Sequence, residues 1–443
     1  MAGLPEQENQ IQEDEMKVMK LGLVTLAAAL MIFGVMGVAN AFHSGGVAEC
    51  EGCHSMHSPK AGGSFLLVGI DQSSTCLTCH QGASDIGPSS YHISTIDSKL
   101  TAGLAPLQRT PGGDFGWLKK TYTYSYTSGG VTTTETEDGA IHGHNIVAGD
   151  FGYTAATGTA PGGTFPAGQL ACNSCHDPHG QYRRLLSGTI ARTGAPIKAS
   201  GSYNGSSNEP TATEAVGVYR LLAGAGYTKG SVTFNGVPAA KAPSTYNQTE
   251  ATNQVRVAYG VATAGGHSTW GNWCGTCHSG MHSTGNYVHP VDQGLGSTIA
   301  GLYNTYVKSG DMTGAKATAF TSLVPFTTNS ADYTVLAGLA SNSGAAASLV
   351  GPETSDQVNC MSCHRAHASG FLHSLRFDQG YEFMVKGGQY IGSDNPAVGT
   401  TGRGPLQNRG RVNAEWQAAY YDRDASKFAT YQRVLCNKCH AKD

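Results

Sequence analysis

The sequence predicts an irregular, loop-rich fold with short helices and a few short β-hairpins, organised around bound groups rather than a large apolar core. Three observations predict it. Glycine supplies 60 of the 443 residues, and Ser, Thr and Asn crowd the intervals between motifs, a composition that favours turns over long helices. All 12 cysteines fall in copies of C-x-x-C-H, and no cysteine is left over. Beyond those copies, 11 more histidines are scattered along the chain. Length alone would suggest two or three domains, but the motifs run from one end to the other and argue for one continuous domain. Net charge is −3 with only 13% charged residues, so nothing points to a nucleic-acid partner.

The first element is a targeting segment. Lys17 and Lys20 precede an apolar run, Leu21–Val38, and then Ala39-Asn40-Ala41. This is the order of a positive region, an apolar region and a small-residue cleavage site, so residues 1–41 read as a signal peptide and the mature chain as 42–443. The acidic stretch before Met16 is unusual for such a segment, and a true start at Met16 accounts for it. The rival is an uncleaved anchor, since 18 apolar residues approach spanning length.

The cysteines come next. They form Cys50/Cys53/His54, Cys76/Cys79/His80, Cys172/Cys175/His176, Cys274/Cys277/His278, Cys360/Cys363/His364 and Cys436/Cys439/His440. A disulfide framework would not space every cysteine pair by three, and zinc sites do not require His directly after the second Cys. C-x-x-C-H is the attachment site of c-type haem. The two thiols bond the haem and the adjacent histidine ligates its iron, so one short turn supplies both. Six covalently bound c-type haems are therefore expected, and the fold class is a multihaem cytochrome c whose core is organised by six stacked haems. Their apolar faces would replace much of a protein core.

A haem that only carries electrons has both axial positions filled, whereas one that binds substrate leaves one open. The sequence has histidines to fill them all. Three motifs extend to C-x-x-C-H-x-x-H, adding His57, His179 and His367, and the fourth adds His282 one residue further on. Residues i and i+3 on a helical turn share one side. The second histidine therefore cannot cross to the far face of its own haem and must serve another, which forces haems into close pairs. His43, His92, His144 and His289 stand clear of any motif as further candidates, while His142, His267 and His373 rank below them. Met56, Met281 and Met361 lie on the proximal side, and methionines here read as core filler.

Between motifs, Lys120–Glu137 alternates and turns at Ser-Gly-Gly, a β-hairpin. Thr213–Gly224, Ser297–Gly310 and Asn413–Arg433 carry helical periodicity. Aromatic residues, above all Trp270 and Trp273 beside Cys274, are expected to pack on porphyrins. No phosphate-binding loop, zinc-protease motif or nucleophile elbow is present.

The strings "AFHSGGVAECEGCH", "GPSSYHIST", "TPGGDFGW", "GHNIVAGD", "CHDPHG", "IAGLYN", "CHRAHASGF" and "LCNKCHAKD" resemble the filament-forming hexahaem outer-surface c-type cytochromes of metal-reducing bacteria. The likeness covers nearly the whole chain after Phe42. It implies little regular secondary structure, bis-histidine ligation throughout, secretion to the outer cell surface, and polymerisation into a filament that carries electrons from outer-membrane donors to extracellular metal oxides or partner cells. It also implies that His57 ligates, in the adjacent subunit, the haem that His364 holds. The resemblance supports His43, His92, His144, His179, His289 and His367 as distal ligands and finds no counterpart for His142, His267 or His373. The acidic residues before Met16 depart from the family pattern.

Three functions follow: a filament-forming electron carrier, a monomeric periplasmic or surface shuttle, and a multihaem enzyme acting on nitrite or hydroxylamine. The enzyme would need an open iron, often marked by Lys in place of the proximal His. Every motif here ends in His.

Overall fold

The computed structural model describes residues 50–63, 65–83, 91–199, 209–243, 250, 255–262, 269–281, 290–340 and 346–440. The targeting segment and His43, His267, His282 and His289 lie outside the described residues. Among those described, nine α-helices occur, of which the longest, Gly296–Thr305, has ten residues. Strands are two to seven residues long and pair in small separate sheets. No helix among the described residues is long and apolar enough to cross a membrane.

The hairpin forms as expected. Strands Tyr122–Ser128 and Val131–Glu137 pair antiparallel across Gly129-Gly130, whose φ angles of 59° and 80° are those of a twist-matched two-residue turn. The expected helix at Ser297–Gly310 is present but stops at Thr305, where the Tyr306 N–H caps the Leu302 carbonyl.

Two expected helices are corrected. Thr213–Gly224 contains a strand, Ala215–Gly217, followed by a turn at Tyr219–Leu221. Its β-branched Val216 sits opposite Arg184 in a mixed four-stranded sheet, and sheet pairing overrides the helical period. Asn413–Arg433 is helical only to Ala419. Tyr421 and Asp422 then turn left-handed (φ 56° and 55°), tied by the Tyr421 hydroxyl donating to the Thr110 carbonyl and by Asp422 accepting from Arg109. After a 3-10 turn at Ala425–Lys427 this segment ends in a strand, Tyr431–Arg433, paired with Phe383–Lys386.

The apolar core is divided into patches that flank motifs. The largest gathers Trp117, Tyr303, Phe371, Met384, Trp416 and Tyr420 and packs on Cys363, Cys436 and Cys439. A second holds Tyr182, Tyr219, Tyr259 and Trp270, with Trp273 and Met361 against it. A third holds Leu77, Phe115, Ile146 and Tyr153 beside Cys172. Trp270 is thus built into an aromatic protein cluster, its indole N–H donating to the Gly260 carbonyl at 3.0 Å. Met56 and Met281 are exposed.

Candidate haem-binding array

Each C-x-x-C-H occupies one helical turn. The N–H of the histidine donates to the carbonyl of the first cysteine at 2.7 Å for His54, 2.9 Å for His364 and 3.1 Å for His176, His278 and His440, while Cys76, Cys79 and His80 lie in the helix Gln72–His80. That i to i+4 bond is what presents two thiols and an imidazole together. Polar caps start these turns. The Asp71 carboxylate accepts from Ser74 N–H at 2.7 Å, and Asn359 and Ser362 cap one another reciprocally at 3.1 Å. None of the 12 cysteines is in a disulfide.

The imidazoles are aimed by their back nitrogens. Nδ1 faces the carbonyl of Phe65 for His54, of Tyr91 for His80, of Arg220 for His176 and of His373 for His364, each at 2.8 Å, and of Pro161 for His278 at 2.9 Å. A carbonyl can only accept, so Nδ1 carries the proton and Nε2 keeps the lone pair a metal needs. Burial pushes the pKa of His80, His176 and His364 down, which keeps them neutral ligands.

The three C-x-x-C-H-x-x-H motifs share a clamp that sequence reading missed. The accepting carbonyl belongs to the first of two consecutive left-handed residues: Phe65-Leu66 (φ 58° and 56°), Arg220-Leu221 (48° and 53°) and His373-Ser374 (57° and 58°). The next residue after the proximal histidine donates its N–H to the second of the pair, Ser55 to Leu66, Asp177 to Leu221 and Arg365 to Ser374, each at 2.7 Å. Two residues on from that second residue, Val68, Ala223 and Arg376 donate back to Cys53, Cys175 and Cys363. No Gly or Asn marks these turns, so nothing in the sequence announces them. His373, doubtful as a ligand, acts here through its backbone.

The candidate distal histidines fall into place by pairs. The rings of His54 and His179 are 6.5 Å apart and 8° from parallel, His176 and His367 are 6.4 Å apart, and His278 and His144 are 5.9 Å apart. Two imidazoles on one metal, with bonds of about 2 Å, put their ring centres about 6.3 Å apart. These spacings fit one iron between each pair. Nδ1 of His144 is satisfied by the Ala366 carbonyl at 2.7 Å. His367 stacks on Phe115, ring centres 4.6 Å apart, and burial pushes its pKa down to about 3. Glycines make the room. A Cβ on Gly112 would lie 2.8 Å from His367 Nδ1, one on Gly143 2.3 Å from the His367 carbonyl, and one on Gly82 1.9 Å from His92 Nδ1. His57 is exposed.

His142 is not available. It is fully buried, with Nδ1 3.0 Å from the Trp117 carbonyl and Nε2 2.8 Å from Glu137. Burial alone would raise the Glu137 carboxyl, yet His142, Arg411 and Arg409 hold it down to about 2.

The motifs follow one another in space as in sequence. The thiols of Cys76 and Cys172, and of Cys274 and Cys360, are in hydrogen-bond contact. Those of Cys53 and Cys79, Cys175 and Cys277, and Cys363 with Cys436 and Cys439 lie close enough to act on one another electrostatically. These thiols stand where thioether sulfurs would be. Each motif thus meets its predecessor through one cysteine and its successor through the other, a zigzag from first to sixth.

Buried arginines are held by protein partners. Arg365 and Arg376 both bond the single Glu250 carboxylate, at 2.9 and 3.0 Å, leaving the group net positive. Nε and Nη2 of Arg365 and Nε of Arg411 are buried without a hydrogen-bond partner. The Arg365 guanidinium lies 3.4 Å over the Tyr421 ring and that of Arg411 4.2 Å over Tyr122, so aromatic faces meet the donors there.

No protein-family model matches the chain. It is 53% identical to the C-type cytochrome OmcS of Geobacter sulfurreducens, across 96% of this chain and all of that protein. Two solved structures are similar at a TM-score of 0.79, each covering 91% of this chain and all of the solved one. They are an outer membrane cytochrome S filament from Geobacter sulfurreducens, 52% identical, and the OmcS nanowires of the same organism, 53% identical.

Proposed function

The chain belongs to the family of the C-type cytochrome OmcS, and from that premise we propose that it is an extracellular electron-transfer cytochrome that polymerises into a filament carrying a continuous chain of six bis-histidine c-type haems. Residues 42–443 form the working domain, after loss of 1–41. The observation that carries the reading is the two-motif offset of the imidazole pairs. His179, from the third motif, faces His54 of the first, and His367, from the fifth, faces His176 of the third. Continued once more, the offset caps His364 with His57 of the next copy. Among the described residues no imidazole faces His364 at that spacing, and His57 stands exposed.

Bound haem supplies the iron that cycles between ferrous and ferric. The protein sets each iron's surroundings. Cys50, Cys53, Cys76, Cys79, Cys172, Cys175, Cys274, Cys277, Cys360, Cys363, Cys436 and Cys439 attach the groups, and His54, His80, His176, His278, His364 and His440 are the proximal ligands. His179, His367, His144 and the neighbour's His57 cap the first, third, fourth and fifth irons. The second and sixth caps come from His43, His92, His289 and His282. The zigzag of cysteines supports transfer in sequence order, from outer-membrane donors towards extracellular metal oxides. With histidine in both axial positions each iron would carry electrons and leave no open site for a substrate, which favours a carrier over an enzyme.

The absorption spectrum and negative-stain images of the secreted protein test this. A wholly low-spin spectrum, no carbon monoxide binding and filaments are expected. A high-spin band with carbon monoxide binding in filaments would overturn the carrier, and monomers alone would leave a surface shuttle.

A further inference from the structure

The clamp at the first motif differs from its two counterparts in what covers it. Leu221 and Ser374, the second left-handed residues at the third and fifth motifs, are 4% and 6% exposed. Leu66, their equivalent, is 50% exposed, Phe65 is 75% exposed, and Met56 beside them is 80% exposed. A bulky apolar pair is also an unusual choice for this backbone, since Asn-Gly is the pair that two left-handed positions favour. Phe65-Leu66 thus exposes apolar surface at a turn whose second residue is buried at both other motifs, and that surface leaves water only if something covers the turn.

The internal repeat says what does. The third motif places its second histidine over the first motif's proximal imidazole, and the fifth does the same over the third. At the third and fifth motifs the second residue of the turn is covered within the chain, while His373, the first of its pair, stays exposed. The first motif has no earlier motif in its own chain to seat on. We propose that the turn Phe65-Leu66, with Met56, is an apolar plug that seats against the face around His364 and His373 of a second copy as that copy receives His57. This rests on the filament reading and adds to it the apolar surface that holds the joint. Burial of such side chains contributes without needing the iron–histidine bond, so the plug would align the copies before His57 engages.

The test is the haem-loaded, secreted chain carrying Phe65→Asn with Leu66→Gly. This pair suits the left-handed turn better than the native one and so keeps the clamp on His54 while deleting the plug. The expected result is at least a ten-fold fall in filament number by negative stain, with covalent haem content by the pyridine haemochrome assay equal to wild type. Wild-type numbers of filaments would overturn the proposal. If the double variant loses haem, Met56→Gln, a plug residue outside the clamp, decides it, with a clear fall in filament number expected and wild-type filament numbers overturning the proposal. A wild-type protein that never forms filaments would instead defeat the filament reading. Wild-type filaments together with normal filaments from the variant would defeat only the plug.

Discussion

The imidazoles of His54 and His179 have ring centres 6.5 Å apart and planes 8° from parallel, although they belong to the first and third motifs. One iron fits between them, and its two ligands then come from parts of the chain far apart in sequence. The link from motif to motif is therefore structural as well as electronic.

His179→Ala removes the cap of one iron only. One haem in six should turn high-spin and bind carbon monoxide, in monomer and filament alike, with covalent haem content unchanged. A spectrum indistinguishable from wild type would remove His179 from the ligand set.

His57→Ala should leave five haems low-spin, disturb one and stop polymerisation. The contrast with His179→Ala is diagnostic, because His57 caps an iron in another copy. Normal filaments from this variant, seen by negative stain, would sink the idea of a ligand shared between copies.

His142 and Glu137 predict a pH effect with no haem signature. The Glu137 carboxyl is held down to about 2 against burial by His142, Arg411 and Arg409. A depressed carboxyl pKa contributes stability that is fully present above the unfolded value of about 4.3 and is lost as pH falls through about 2, worth about 3 kcal/mol. Glu137→Gln should flatten acid unfolding across that window, followed by circular dichroism, and lower neutral-pH stability. His142→Ala should destabilise by about 1–3 kcal/mol yet leave the visible spectrum unchanged.

Gly143→Ala should disturb the third haem. Its Cβ would fall 2.3 Å from the His367 carbonyl and 2.6 Å from Ala368, a clash of the new methyl with neighbouring backbone that costs about 1–3 kcal/mol and displaces the His367 ring from His176. Gly301→Ala is the control: a Cβ there meets nothing within 4 Å, in the helix Gly296–Thr305, and should stabilise by about 0.5–1 kcal/mol. Thermal melts and the fraction of high-spin haem check both.

Some elements were legible because their cause is local. The hairpin at Tyr122–Glu137 announces itself by alternation and by the Gly-Gly turn. The helices at Thr213–Gly224 and Asn413–Arg433 fail for the opposite reason. Their periodicity is real, but Arg220 must turn left-handed to offer its carbonyl to His176, and Tyr421-Asp422 must turn to reach Thr110 and Arg109. Those demands come from residues far away in sequence, and a window of neighbouring side chains does not contain them.

The same division runs through the site. Attachment was decided by the sequence, because two thiols and an imidazole within five residues meet on one helical turn whatever the rest of the chain does. That turn closes at the proximal histidine, which at His364 is already extended (φ −112°, ψ 157°), so the helical spacing expected to bar His57, His179 and His367 from their own haems does not reach them, and packing places them instead. Which imidazole faces which, the clamps at Phe65, Arg220 and His373, the glycine spaces at Gly112 and Gly143, and the order of the motifs in space were decided only by the tertiary structure. A distal partner lies across a metal-sized gap from a residue in another motif, and only packing brings two such segments to 6.4 Å.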